Sequence, residues 1–187
     1  KDTDVLVLMV WAFAFLNVKH KWFLRKDDGQ FADVGDICSH FGRDLCLHLP
    51  ALHALSGCDT TSYFYNVGKV KLLKTVIKSP QYLALLDSLG KEKMTSDSDM
   101  EDVQKFVQTV MYSGKDKESY VETRVRLYHK MKVKSSLSLP PDPHSLKQAI
   151  LRAHWQTYYW LRCTEASVEN LPFEGCGWKW SSEESSL

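Results

Sequence analysis

The hydrophobic positions fall into short runs separated by glycine, proline or clusters of polar residues, and each run predicts one element. Residues 5–10 are apolar, rich in β-branched side chains and do not alternate, the pattern of a central parallel strand buried on both faces. Asp2 and Asp4 stand at its start and, on a strand, share one face. Residues 11–18 extend that strand or begin a helix, since periodicity fits both. Residues 21–25 read as a strand running into a turn at Asp28-Gly29. Residues 31–41 predict a short helix with Asp33 as N-cap and Gly42 as stop. Pro50 fits the first turn of the next helix, which buries Leu52 and Leu55 and ends at Gly57. Residues 60–65 predict a short turn or a one-turn helix, and Asn66-Val67-Gly68 a hairpin, because Asn and Gly tolerate positive φ.

From there the pattern turns helical. Residues 69–78 place Val70, Leu73 and Ile77 on one face, with Leu72 and Val76 beside them, and Lys71, Lys74 and Lys78 on another. Further helices are expected over residues 81–89, 101–112, 120–131 and 144–163, the last apolar at Leu146, Ala149, Ile150, Ala153 and Tyr158. Residues 94–100 and 135–143 are polar or Pro-rich connections. The chain thus divides into residues 1–78, a mainly helical extension over 79–171, and a polar tail over 172–187 that is expected to be flexible.

Composition narrows this. A chain of 187 residues with 44% apolar side chains supports one domain with a core, or a domain plus an extension. A net charge of +1 excludes a globally basic nucleic-acid glue but leaves room for a local basic face. Five cysteines without a C-x-x-C pair read as free thiols of an intracellular protein, nuclear if it handles DNA. The apolar run after Asp4 is too short to span a bilayer and lacks a basic flank, so no membrane is expected. The start without Met is expected to lie inside a larger protein, in the middle of a domain.

The stretch from Leu49 to Lys74 carries the chemistry: an apolar helix, a glycine stop, Asp59, a tight turn and a basic helix. Hard Mg²⁺ or Mn²⁺ ions need several converging carboxylates, and Asp2, Asp4 and Asp59 are the candidates for metal binding and catalysis. The alternative is that Asp2 and Asp4 solvate a strand end and Asp59 caps a turn. Asn66, Val67 and Gly68 offer backbone N–H groups at a helix N-terminus, and Lys69, Lys71 and Lys74 add charge, a set suited to a nucleic-acid backbone. Its alternative is an ordinary amphipathic helix with a solvated lysine face. Cys46, His48, His53 and Cys58 match no common zinc spacing, and His53 reads as a core or supporting histidine. Trp155, Tyr158, Tyr159 and Trp160 could stack bases, though aromatics on a long helix usually serve a core or interface.

Ser56-Gly57-Cys58-Asp59, then Asn66-Val67-Gly68, then Lys69-Val70-Lys71 resemble the entry into the helix-two-turn-helix element of flap-endonuclease-like, PIN-superfamily nucleases. Asp2-Thr3-Asp4-Val5-Leu6-Val7 resembles that family's acid-x-acid strand. The resemblance implies an α/β fold: the C-terminal part of a PIN-like domain, with a parallel strand plus helices, over residues 1–78. It implies metal ligation by Asp2, Asp4 and Asp59 and phosphate binding by residues 66–68, with DNA as partner. Asn66 replaces the first hairpin glycine, Lys69-Val70 replaces a Pro-Lys pair, and the upstream carboxylates are absent. The phrasing from Leu49 to Ser62, Leu139-Pro140-Pro141, Arg152-Ala153-x-Trp155-Gln156 and Gly175-Cys176-Gly177-Trp178 resembles an uncharacterised family of mobile-element-associated animal proteins, some continuing into a tesmin/TSO1-like region. The function implied is a metal-dependent nuclease or a nuclease-derived DNA-binding protein; the alternative is a non-catalytic interaction module.

Overall fold

A computed structural model describes residues 3–91, 96–131 and 138–178. Asp2 and the end of the tail lie outside them. The fold is mixed but mostly helical, with one two-stranded antiparallel sheet. The first element corrects the sequence reading. Residues 5–10 belong to helix α1 (Thr3–Phe15), not to a parallel strand. Its buried positions Val7, Val10, Trp11 and Ala14 recur at intervals of three and four, so the run is apolar nearly all round because neighbours flank it on several sides. The fold of a PIN-like domain with a parallel strand at this position is therefore not seen.

The strand and turn expected over residues 21–29 are present, but residues 31–33, expected to open a helix, form a second strand. Strand β1 (Phe23–Arg25) pairs with β2 (Phe31–Asp33), Leu24 opposite Ala32, across the turn at Gly29. Helix α2 (Val34–Phe41) follows without a gap: the Asp33 carboxylate accepts from the N–H groups of Gly35 (2.8 Å) and Asp36 (3.2 Å). Gly42, at φ +80°, separates α2 from α3 (Arg43–Ser56). Pro50 therefore lies in the middle of α3 rather than in its first turn. It supplies no N–H to the preceding turn, a cost that its full burial in the packed core offsets.

Helix α4 (Lys69–Lys78) has the predicted bounds. The helical segment expected after it is a 3₁₀ helix (Pro80–Leu86). Helix α5 (Asp97–Phe106), capped by Ser96, continues into a π-helical turn (Val107–Met111). Helix α6 (Tyr120–Met131) and helix α7 (Pro143–Trp160) complete the chain, α7 capped by Asp142 with Pro143 in its first turn. The segment after α7 lies back along it: Trp155 Nε1 donates to Leu171 O, and Arg152 donates to Gly177 O (2.8 Å).

α3 is the central element, packed between α1 and α7. The main core joins Leu52 and Leu55 of α3 to Leu72 and Val76 of α4, Leu83 and Leu86, Val103 and Phe106, and Leu146 and Ile150 of α7. A second, smaller cluster joins Val10 and Ala14 of α1 to Val34 and to Cys46 on α3. Each fully buried leucine or isoleucine contributes about 1.5–3 kcal/mol relative to exposure. No described helix is long and apolar enough to cross a membrane.

Candidate functional site

The end of α3, the turn after it, the start of α4 and the first turn of α1 meet at one cleft of about 510 Å³. Thr3, Asp4, His53, Gly57, Cys58, Asp59 and Lys69 line it. Gly57 makes this convergence possible. Its φ is +103°, and a Cβ there would lie 2.8 Å from Tyr63 Cα. The chain can thus leave α3 and fold back against its own end.

Two threonines then fix the turn. Thr61 Oγ1 donates to Ala54 O (2.6 Å) and accepts from Cys58 N (3.0 Å), and Cys58 pairs with Thr61 through backbone bonds of 3.3 and 3.2 Å. Thr60 Oγ1 donates to Gln156 Oε1 on α7. Asp59 stands exposed at the tip of this turn, on the rim of the cleft.

The floor of the cleft holds a chain of three side chains. His53 is 8% exposed and its ring stacks on Trp160 (centroids 5.5 Å apart, planes at 24°). Its Nε2 lies 2.7 Å from Asp4 Oδ1, and its Nδ1 lies 2.8 Å from Lys69 Nζ. A carboxylate only accepts, so Nε2 carries the proton and donates to Asp4, while Nδ1 accepts from Lys69. Lys69 Nζ also donates to Gly57 O. Burial lowers the Lys69 pKa, against the opposing pull of Cys58 and Asp4. The sequence reading treated His53 as a core or supporting histidine. It is nearly buried, and it also joins two charged groups.

The candidate nucleic-acid residues divide. Lys69 turns inward to the cleft, whereas Lys71 and Lys74 are exposed. Asn66 has φ +62°, as its type allows. Gly68 does not need positive φ: it is the extended N-cap of α4 at φ −81°. As a glycine, Gly68 offers no side chain to cap α4, and among the described residues nothing lies within 4 Å of the place its Cβ would take, so the backbone there is open to a ligand.

The other aromatic and thiol candidates are accounted for by contacts within the fold. Tyr159 OH bonds to Leu171 and Asn170, and Tyr158 OH to Glu169 O. Cys46 is buried beside Cys38, and burial pushes its thiol up to about 12. His48 bonds to Asp87 (2.8 Å) and to Asp44 O (2.8 Å).

As a divalent-metal site the cleft is incomplete in the described residues. Asp4 and Asp59 share it, but Asp4 Oδ1 is engaged by His53. No group of three or more His, Cys, Asp or Glu is arranged to hold a metal among the described residues. Asp2, the third candidate ligand, lies outside them. The set therefore does not fit an Mg²⁺ or Mn²⁺ centre on its own. No protein-family model matches the chain, and no curated protein or solved structure shows significant similarity to it.

Proposed function

We infer that this chain is a nucleic-acid-binding module derived from a PIN-like nuclease, holding a DNA backbone at the Asn66–Gly68 turn and the start of α4. The observation that carries this reading is the continuity of α4 with the cleft. Lys69 opens the helix and enters the cleft, while Lys71 and Lys74 project from the same turns beside the uncapped N-terminus. Backbone N–H groups and lysines in that arrangement recognise phosphate charge without reading sequence. Binding of double-stranded DNA is followed by fluorescence anisotropy across a salt series. Lys71→Ala with Lys74→Ala is expected to reduce the log–log salt slope by about 2. An unchanged slope removes this surface from the reading.

A second reading, metal-dependent phosphodiester hydrolysis, is favoured by one observation: Asp4 and Asp59 face the same cleft. It requires ligands beyond those described. Its test is Mg²⁺-dependent cleavage of flap or single-stranded DNA by the protein. Activity that survives Asp59→Ala eliminates it.

A further inference from the structure

We propose that Lys69 is a nucleophilic amine that condenses with an aldehyde whose small apolar or aromatic substituent sits in the cavity beneath the cleft. Three side chains have the spatial logic of an activated nucleophile. The attacking group (Lys69 Nζ) is 2.8 Å from a base (His53 Nδ1), which is itself held by an orienting carboxylate, with Nε2 2.7 Å from Asp4. His53 and Lys69 also form part of the wall of a second cavity, of about 200 Å³, whose other walls include Leu6, Val10, Leu52 and Leu72. That wall is almost wholly apolar. An apolar cavity of about 150 Å³ is enough to hold a benzene ring, so a ring or a short alkyl group fits here. The amine thus stands between an apolar seat and a cleft open to solvent.

The chemistry balances without a redox partner. Lys69 passes one ammonium proton to His53 Nδ1, and the imidazolium so formed faces the Asp4 carboxylate. The neutral amine keeps two N–H groups, one of them donated to Gly57 O; the protonated Nδ1 no longer accepts, and the amine lone pair, once turned away from it, attacks the carbonyl carbon. A C–N bond forms and the carbonyl C–O bond breaks. The oxygen leaves as water carrying two protons that began on nitrogen, and a protonated imine remains on Lys69. Burial favours this amine over an exposed one, because it disfavours the ammonium form; among the described residues the titratable groups lining the cleft with it are Asp4, His53, Cys58 and Asp59. This inference does not depend on nucleic-acid binding.

The test is reductive trapping. The chain is incubated with benzaldehyde and cyanoborohydride near neutral pH, and labelled lysines are mapped by peptide mass spectrometry. Lys69 is expected to label about tenfold or more faster than Lys71 and Lys74, its exposed neighbours on the same helix. Because the comparison is internal to one folded chain, it needs no variant. Labelling of Lys69 at or below the rate of Lys71 overturns the proposal. With glyoxylate, a polar aldehyde, the ratio of Lys69 to Lys71 labelling should fall; an unchanged ratio overturns the apolar seat. His53→Gln, checked for folding by circular dichroism, should slow labelling at Lys69 by about 100-fold and leave Lys71 unchanged. Asp4→Asn should also slow it and Asp4→Glu restore it, whereas Asp4→Asn labelling at the native rate removes Asp4 from the relay.

Discussion

Gly57 shows at the residue scale how a single position holds the site together. Its φ of +103° is costly for any other residue, and a Cβ would also meet Tyr63 Cα and N at 2.8 and 2.9 Å. Gly42 has a comparable φ of +80° but nothing within 4 Å of its Cβ position. The two glycines therefore separate backbone strain from steric collision. Gly42→Ala is expected to cost about 2 kcal/mol, from conformation alone. Gly57→Ala adds overpacking and is expected to cost about 4 kcal/mol. Urea denaturation measures both, and equal losses would mean that the Tyr63 turn gives way. Both glycines are legible in the sequence as helix stops, because stop chemistry is local. The destination of Lys69 is not. Helical periodicity places it at the start of α4, but its amine bonds residues 16 and 12 positions earlier in the chain. Only the fold-back at Gly57 makes those contacts.

Among the elements, α1 marks the limit of pattern reading. A short apolar run without alternation fits a buried strand and a buried helix equally, and β-branched content tips the reading toward strand. What decides is tertiary: α1 has α3 on one side and α2 on another, so nearly every face finds apolar company. Local signals locate the turn at Asp28-Gly29, the Asp33 cap of α2 and the bounds of α4, but not strand β2, nor the buried face of α4, which is Leu72 and Val76 while Val70 and Ile77 are 67% and 48% exposed. Pro50 was misplaced because burial, which sequence does not display, offsets its missing N–H. Val5 provides the test of α1. It is 42% exposed, so Val5→Ala removes little burial and improves helix propensity. The variant should gain about 0.3 kcal/mol in denaturant unfolding, whereas a strand would lose stability.

The entry into α6 carries a pH signature at the same scale. Glu118 accepts from Arg126 Nε (2.7 Å), Thr123 Oγ1 (2.9 Å) and Lys115 N (3.1 Å), tying the loop before α6 to the helix. The Arg126 hydrogen bond, before the backbone and Thr123 bonds, holds the Glu118 carboxyl down from 4.5 to about 2. A carboxyl depressed in the folded state stabilises fully above its unfolded pKa. That contribution fades as pH falls from about 4.5 toward 2. Stability measured by urea denaturation should therefore fall less steeply over this window in Glu118→Gln than in the native chain. Identical slopes would mean that the ion pair does not form in solution.

The two core clusters predict how the whole molecule opens. The larger one spans α3, α4, α5 and α7, while the smaller one consists of Val10, Ala14, Val34 and Cys46 with partly buried neighbours. The hairpin beside it leaves Phe23 and Phe31 49% and 64% exposed. Local stability follows buried apolar contact, so α1, the hairpin and α2 should open together at lower free energy than α3 and α7. Val34→Ala, which truncates a fully buried side chain of the smaller cluster, should cost about 1–3 kcal/mol. In native-state hydrogen exchange it should speed exchange across α1 and α2 and leave α7 unchanged. Acceleration of α7 in step would instead show one cooperative unit. The distinction reaches the site, because Asp4 lies on α1 while His53, Lys69 and Trp160 lie on α3, α4 and α7. Opening of α1 takes the carboxylate from His53 and leaves the imidazole and amine in place. Val34→Ala, which does not touch the apolar cavity, should therefore lower the rate at which Lys69 is trapped by aldehyde without altering the rate at Lys71. This links the integrity of the smaller core to the orientation of the His53 ring.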